Sequence, residues 1–366
     1  MLNWGIMGAG GIARVFCNAL RFSKTGQAVA VASQTPDKLQ ALADDFSIAK
    51  RYSTYEALLQ DPEIDVIYIS SIHPLHAEWA IKAAEAGKHL LVEKPIGMNY
   101  AEAAAMIDAA AKHDVFLMEA FMYRCHPQTQ KLAELIREGA IGEVRMIRSV
   151  FSYYTPYSPS SRAYNKALGG GGILDVGCYP ASMSRLIAGA AGGHSFLDPV
   201  EVKACGKVNA EGVDLYTAAT LQFENEIVAE IICGVACQMP VQVSVYGDEG
   251  MISVPNPWLP TSPARSAKQP LPLDTQFPST IIELTPRGSQ TAQQIVVEVD
   301  RDLFTYEADT VAAHIAHRQA PAMRWDDTLG NMRVLDRWRQ EIGAQYKVSN
   351  RWGASVACTP LCGGVV

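Results

Sequence analysis

The regular alternation of strand and helix patterns over the first 120 residues constrains the fold of this chain most strongly. Strand patterns occupy residues 2–7, 28–33, 66–70, 90–92 and 115–119. Helix patterns lie between them, at residues 12–22, 36–45, 76–86 and 100–113. Strands that alternate with helices in this way form right-handed βαβ units. The pattern therefore predicts an α/β region with a doubly wound parallel sheet that helices cover on both faces.

The pattern changes after residue 126. A helix pattern at 129–138 is followed by strand patterns at 144–154, 200–208, 216–223, 227–237 and 242–246. Two more helix patterns follow, at 304–318 and 326–342. Short turns between neighbouring strands favour an α+β domain with an open, mainly antiparallel sheet. The length of 366 residues suits two domains. We therefore assign 1–121 to the first domain, 122–343 to the second and 344–366 to a C-terminal tail.

Composition and charge exclude several classes of protein. Hydrophobic residues make up 48% and charged residues 19%, enough apolar surface for two cores, and the net charge of −7 offers no basic field for nucleic acid. The apolar stretch 227–245 is interrupted by Glu230, Gln238 and Pro240, so we expect no membrane span. The eight cysteines lack the spacing of a zinc site, and no metal is expected. The chain is predicted to be cytoplasmic with free thiols.

A glycine-rich turn follows the first strand. The stretch GIMGAGGIA places Gly8, Gly10 and Ala13 in a GxGxxA pattern, with Gly11 and Ile12 between the last two. The glycines permit a tight turn and close approach of a pyrophosphate, and the helix that follows presents its N-terminus to the phosphates. This pattern alone is common, but its position within a βαβ series predicts a dinucleotide-binding Rossmann domain.

The end of the second strand bears on which dinucleotide binds. NAD sites usually carry an acidic residue there for the ribose 2′-hydroxyl, whereas this chain has Ser33, Gln34 and Thr35, with Lys38 one turn later. Hydroxyl groups and a lysine suit a 2′-phosphate better. The sequence thus predicts NADP(H) as the preferred cofactor and NAD(H) as the second choice, although Lys38 also fits a solvated helix position.

A lysine directly after a buried strand is the next candidate. In LLVEKPIGMN the apolar run ends at Glu93 and Lys94, and Pro95 stops it. Ligands of doubly wound sheets bind beyond the carboxyl ends of the strands, where Lys94 is predicted to lie. Further along, Asp175 and Tyr179 stand four residues apart at a predicted helix start and so share one face. A capping aspartate and a core tyrosine fit that spacing equally well.

Several motifs together resemble one family of oxidoreductases. They are the glycine turn, YISSIHPLH (68–76), EKP (93–95), LMEAFMYRCHP (117–127) and LGGGGILDVGCYP (168–180). Over residues 2–250 the chain resembles the glucose–fructose oxidoreductase/inositol dehydrogenase (Gfo/Idh/MocA) family. Its variants are most similar to the branch with dimeric dihydrodiol dehydrogenase and NADP-linked xylose dehydrogenase. His73, where many relatives have Asn, and the Cys125–His126 pair depart from the family pattern and leave the substrate open.

The resemblance implies roles for individual residues. It implies a cis Lys94–Pro95 peptide that aims the ammonium into the cleft, with Lys94, Asp175 and Tyr179 as the catalytic residues. Residues implied to lie against the cofactor are Ser71, His73, His76, Glu93 and Lys94, although His76 could simply begin its helix. Candidate substrate ligands beside the catalytic three are Arg124, Tyr154 and Arg162, each of which could also be an ordinary surface residue.

The expected function is NADP(H)-dependent hydride transfer to or from a carbinol carbon of a sugar, anhydrosugar or related polyol. Two alternatives stay open at this stage. One is an NAD-dependent glycosidase or lyase that oxidises its substrate transiently, and the other is a non-catalytic nucleotide sensor. One uncovered face of the second sheet would expose apolar surface, which favours a homodimer or homotetramer formed through that sheet.

Overall fold

The N-terminal part of the chain forms a six-stranded parallel sheet. The computed structural model describes residues 1–344, so that the predicted tail after Ala344 lies outside the described residues. The strands are β1 (Leu2–Met7), β2 (Gly26–Ala32), β3 (Lys50–Tyr52), β4 (Val66–Ile69), β5 (His89–Glu93) and β6 (Leu117–Ala120). Their order, β3-β2-β1-β4-β5-β6, is that of a doubly wound Rossmann sheet, as predicted.

Helices cover both faces of this sheet. They are α1 (Gly11–Leu20), α2 (Pro36–Asp45), α3 (Tyr55–Leu59), α4 (His76–Glu85) and α5 (Tyr100–Lys112). The sequence analysis did not predict β3 and α3, because three and five residues are too few to show a periodic pattern. All four residues of β4 are buried, as expected for a central strand enclosed on both faces.

The second sheet has eight strands and is mostly antiparallel, as predicted. The strands are β7 (Val144–Ser152), β8 (Glu201–Val208), β9 (Asp214–Gln222), β10 (Val228–Gly234), β11 (Gln242–Gly247), β12 (Gly250–Val254), β13 (Thr280–Pro286) and β14 (Gln293–Val297). Their order is β14-β13-β12-β11-β7-β10-β9-β8, and β7 with β10 is its parallel pair. The analysis missed the three strands from β12 to β14, where exposed and polar residues weaken the period-two pattern.

Three of the helices that follow the Rossmann sheet pack on one face of the second sheet. The helices of this part are α6 (Met122–Cys125), α7 (Pro127–Arg137), α8 (Cys178–Ala191), α9 (Pro263–Ser266), α10 (Leu303–His314) and α11 (Trp325–Glu341). Of these, α8 packs on β7 and β10, α11 packs on β8, and α7 packs on β13. A π-helical turn, Ile173–Gly177, leads into α8. Within residues 1–344 no helix is both long and apolar enough to span a membrane.

The opposite face of this sheet has no helix of the described chain packed on it. Val228, Met146, Tyr246 and Met251 are register partners on β10, β7, β11 and β12, so their side chains form one apolar row across four strands. Met146 and Met251 are 43% and 39% exposed, which leaves this row accessible to solvent. We call this surface the open face.

Arg124, a candidate substrate ligand, lies in a buried ion-pair network. Its Nη2 is 2.6 Å from Asp327 Oδ2, and its Nη1 donates to Ser182 Oγ at 3.0 Å. The other oxygen of Asp327 pairs with Nη1 of the fully buried Arg185 at 2.5 Å. These contacts join α6, α8 and α11. The expectation that Arg124 binds substrate is therefore corrected to a structural role, because its partners already occupy the guanidinium.

This network predicts a large loss of stability on Asp327→Asn. The substitution removes the negative charge between two buried guanidinium groups, and breaking a buried pair costs about 3–5 kcal/mol. The neighbouring Asp326→Asn is the control, because Asp326 is 53% exposed and pairs with an exposed arginine, a kind of contact worth about 1 kcal/mol or less. Urea unfolding monitored by circular dichroism measures both, and equal small losses would contradict the prediction.

Candidate active site

The glycine turn between β1 and α1 has the shape that the sequence predicted. Gly8 has a φ of +106°, and a Cβ on it would lie 3.0 Å from Ser70 Oγ and 3.1 Å from Ser70 O, so a side chain is excluded here. A Cβ on Gly10 or on Gly11 would meet no atom within 4 Å. Gly10 caps α1 with backbone alone, and Ala13 is fully buried beneath it. The exposed backbone at the helix start fits a dinucleotide phosphate group.

The end of β2 presents polar groups and no carboxylate. Ser33 is buried, and its Oγ accepts the Thr35 N–H at 3.1 Å, which shapes the turn into α2. Gln34, Thr35 and Lys38 are exposed. Asp37 lies within the first turn of α2. The residues that could meet a 2′-substituent are therefore neutral or positive.

Two loops at the carboxyl ends of β4 and β5 are joined by His76. Its ring nitrogens lie 3.1 Å from the carbonyl oxygens of Pro95 and Ser71, and the side chain is fully buried. Burial lowers the pKa of this imidazole to about 4, so it is neutral at pH 7 and donates to one of the two carbonyls. His76 thus positions the loop that carries Lys94 and begins α4 as well.

His73 lies closer to the catalytic candidates. Its Nδ1 is 3.1 Å from the carbonyl of Gly169, which accepts the ring N–H. Burial first, and then the positive charges of Lys94 and Arg162, lower the pKa of His73 well below its ordinary range. A neutral ring with Nδ1 protonated leaves Nε2 as an acceptor.

Lys94 stands directly after β5, and the Lys94–Pro95 peptide is cis. Its Nζ donates to the carbonyl of Asp175 at 2.7 Å, lies 3.7 Å from Asp175 Oδ1 and is 5.2 Å from the centre of the Tyr179 ring. The preceding Glu93 is buried, accepts the Tyr68 hydroxyl and accepts the Lys94 N–H at 3.2 Å. The structure thus brings together the three residues that the sequence analysis proposed as catalytic.

The Asp175 carboxylate is held by two hydrogen-bond donors and a nearby ammonium. Arg162 Nη2 lies 2.7 Å from Oδ1, the Tyr153 hydroxyl donates to Oδ2, and Lys94 is the third group. Burial alone would raise the pKa of Asp175, but Lys94, Arg162 and Tyr153 outweigh it and hold that pKa well below its usual range. Asp175 is therefore ionised at neutral pH and orients the lysine beside it.

Tyr179 stands among aromatic rings. Its ring centre is 5.4 Å from that of Phe121, 5.1 Å from that of Phe151 and 5.7 Å from that of Trp258. Its hydroxyl contacts Met122 Sδ at 3.7 Å, a weak acceptor that a substrate oxygen could replace. Burial raises the pKa of this hydroxyl well above its ordinary range, so Tyr179 is a neutral phenol at pH 7.

Tyr154 was the sequence candidate in this region, but the neighbouring Tyr153 makes the contact with Asp175. Tyr154 is 61% exposed, and no described hydrogen bond links its side chain to the cleft. The signal that could have found Tyr153 is the period of the strand pattern predicted at 144–154, in which Phe151 and Tyr153 lie two residues apart and so share one face. Trp258, in a proline-rich segment, gave no such signal.

The fold and this cluster define a dinucleotide-dependent oxidoreductase. The sequence model described as the oxidoreductase family GFO_IDH_MocA, NAD-binding Rossmann fold, matches residues 2–121, and the GFO/IDH/MocA C-terminal domain matches residues 129–253. Trans-1,2-dihydrobenzene-1,2-diol dehydrogenase of Danio rerio is 37% identical over 280 residues, 76% of this chain and 80% of that relative. The chain belongs to the GFO/IDH/MocA oxidoreductase family.

Solved structures share the fold at lower identity. A 3-ketoreductase from Actinomadura kijaniata matches with a TM-score of 0.78 and 23% identity, over 93% of this chain and 98% of that chain. The aldose-aldose oxidoreductase of Caulobacter crescentus matches with a TM-score of 0.77 and 24% identity, over 93% and 97% of the two chains. Both matches cover nearly the whole chain, so the two-domain fold is shared.

Proposed function

We propose that this protein transfers a hydride, with NADP(H) as cofactor, to or from a carbinol carbon of a sugar, an anhydrosugar or a related diol or polyol. The observation that carries the proposal is the position of the Lys94 ammonium. It lies beyond the carboxyl end of β5, 2.7 Å from the Asp175 carbonyl and 5.2 Å from the Tyr179 ring centre. When bound, the dinucleotide accepts or supplies the hydride.

The side chains divide the remaining work. Lys94 uses one N–H on the Asp175 carbonyl and keeps donors for a substrate oxygen, which it polarises. In oxidation the substrate hydroxyl loses its proton to the deprotonated form of Tyr179 or Lys94, a phenolate or an amine, as the hydride leaves the carbon. In reduction the neutral phenol of Tyr179 donates that proton to the carbonyl oxygen as the hydride arrives. Asp175 keeps the ammonium in place through its charge.

The surroundings of Tyr179 support the substrate class. The half-buried ring of Phe151 packs against Tyr179, and the buried rings of Phe121 and Trp258 pack against it as well. Aromatic rings pack on the apolar face of a sugar or cyclic diol. The Danio rerio relative is named for a cyclic diol. The fold neighbour from Caulobacter crescentus is named for aldoses. Both names point to a substrate that carries hydroxyl groups on a ring with an apolar face.

Cofactor, location, assembly and domain division complete the proposal. The end of β2 without a carboxylate supports NADP(H), and the Actinomadura kijaniata neighbour was solved with NADP. The domains divide at residues 121–122, and the protein is cytoplasmic, as the sequence suggests.

We propose a homodimer or homotetramer formed through the open face. Eight strands about 4.8 Å apart and on average about seven residues long span roughly 38 by 23 Å, close to the about 800 Å² per partner of a standard interface.

Lys94→Ala and Tyr179→Phe should each lower kcat by about 10²–10⁴-fold, because each removes a group that polarises oxygen or moves the proton. The assay screens aldoses, anhydrosugars and cyclic diols with NADP⁺ at 340 nm. Tyr153→Phe should reduce kcat by freeing Asp175, while Tyr154→Phe at the exposed neighbouring position should have no effect. Near-normal turnover by Lys94→Ala would show that EKP is structural here. Binding of NADP⁺ without turnover of any substrate would favour the sensor alternative.

Cofactor preference can be tested at the end of β2. The wild-type enzyme should have a higher kcat/KM with NADP⁺ than with NAD⁺. Gln34→Glu should lower the NADP⁺/NAD⁺ ratio of kcat/KM about 10-fold or more, because the carboxylate repels the 2′-phosphate. Gln27→Glu adds the same charge at the other end of β2 and should leave the ratio unchanged. A wild-type preference for NAD⁺ would refute the assignment.

Assembly through the open face predicts that light scattering gives a dimer or tetramer at micromolar concentration. Met146→Glu places a charge in the middle of the apolar row and should shift the particle toward the monomer. Arg145→Glu, on the adjacent exposed position of β7 with its side chain toward the other face, is the control. A wild-type protein that is monomeric at that concentration would contradict the proposed assembly.

A further inference from the structure

The segment between β12 and β13, residues 255–279, reaches across to the dinucleotide domain; we call it the strap. Asn18 of α1 fixes it through both ends of its amide. Asn18 Oδ1 accepts the Leu271 N–H at 2.9 Å, and Nδ2 donates to the Gln269 carbonyl at 3.4 Å. Arg21 Nη1 also donates to the Leu271 carbonyl. The strap therefore runs along the second half of the helix that begins at the glycine turn.

Arg265 lies four residues before this attachment, in the short helix α9. This helix packs against α1, and the buried Ala264 donates its N–H to Asp302 Oδ2 at 3.1 Å, which fixes the backbone beside Arg265. Arg265 itself is exposed. In the part of the chain that the structure describes, its guanidinium makes no hydrogen bond or ion pair with another residue.

The charge of Arg265 acts on the catalytic cluster. Burial raises the pKa of Glu93, and the positive charges of Lys94 and Arg265 partly offset that rise. Burial also raises the pKa of Tyr179, and Arg265 opposes this too. Electrostatic coupling of this kind requires that the groups be near one another. Arg265 is thus within electrostatic range of Glu93 and Tyr179, on a short helix that packs against α1.

A dinucleotide bound to this domain would extend from the N-terminus of α1 toward Lys94. Its diphosphate would lie at the N-terminus of α1, and its nicotinamide end would have to come within reach of Lys94 for the proposed chemistry. We propose that Arg265 is a ligand of the cofactor diphosphate, supplied by the second half of the chain to the Rossmann half. The inference rests on the proposed function only in requiring that a dinucleotide binds.

The chemistry of arginine suits this position. A guanidinium presents a planar fork of N–H donors that matches two phosphate oxygens, and such charge-assisted bonds are roughly twice as strong as neutral ones. The α1 N-terminus contributes backbone N–H groups and a partial charge of about +0.5. Lys38 lies on α2, after the strand end that faces the ribose in such folds, and not beside the glycine turn. An arginine on the strap would supply the full positive charge that the glycine turn lacks.

The test measures the affinity of the full chain for NADP⁺ and for fragments of it, by isothermal titration calorimetry without turnover. Arg265→Met should weaken NADP⁺ and 2′-phospho-ADP-ribose by the same factor, about 10- to 100-fold, since both contain the diphosphate. Binding of 2′-AMP, which lacks the diphosphate, should not change. Arg265→Lys should lose part of the affinity. Lys268→Met removes an equally exposed cation from the same strap and should bind like the wild type.

Three results would overturn the assignment. Unchanged NADP⁺ affinity in Arg265→Met would make the arginine an ordinary surface residue. A loss confined to NADP⁺, with 2′-phospho-ADP-ribose unaffected, would move Arg265 to the nicotinamide end, and a loss shared by 2′-AMP would move it to the adenosine end. If the wild-type protein binds none of these ligands, the proposed function itself fails. Thermal unfolding of each ligand-free variant separates these outcomes from misfolding.

Discussion

The contact between Lys94 and Asp175 is the interaction on which the arrangement of the site depends. The lysine follows the Rossmann strand β5, whereas the aspartate lies in the π-helical turn beneath the second sheet. Both side chains are largely buried, at 14% and 8% exposure, so each would be costly without the other. The pair is stable because its remaining groups are also satisfied: the ammonium by the Asp175 carbonyl and the carboxylate by Arg162 and Tyr153.

The Asp175 carboxylate is surrounded by positively charged groups. Lys94 and Arg162 bring two positive charges to its single negative charge. An oxygen that gains negative charge as a carbinol becomes a carbonyl, or the reverse, is stabilised by such preorganised donors. The neutral Tyr179 phenol adds a proton without adding charge. The contacts that position Lys94 and Asp175 thus also supply the charges around the reacting oxygen.

The sequence predicted what depends on local patterns, and failed where distant partners decide. The alternation of strands and helices predicted the Rossmann sheet, and the positions of Lys94 and Asp175 followed from a strand end and a helix start. Tyr153 was missed because both it and Tyr154 lie just after β7, and the hydrogen bond from the Tyr153 N–H to the Gly234 carbonyl of β10, at 3.0 Å, sets the side that each takes. Arg124 was misjudged because its partner Asp327 lies 203 residues away.

Helix α1 connects the dinucleotide turn with the C-terminal half of the chain. Its last turn accepts the Thr305 hydroxyl of α10 at 2.8 Å through the Ala19 carbonyl, and the segment after it binds Asp309 through Ser23 and Thr25, each at 2.6 Å. A short local motif therefore has its orientation set by residues almost 300 positions away. The glycine pattern alone cannot encode that orientation, because any βαβ unit can form the turn. The direction in which its N–H groups point relative to Lys94 depends on these long-range contacts, and so the cofactor site belongs to the whole fold.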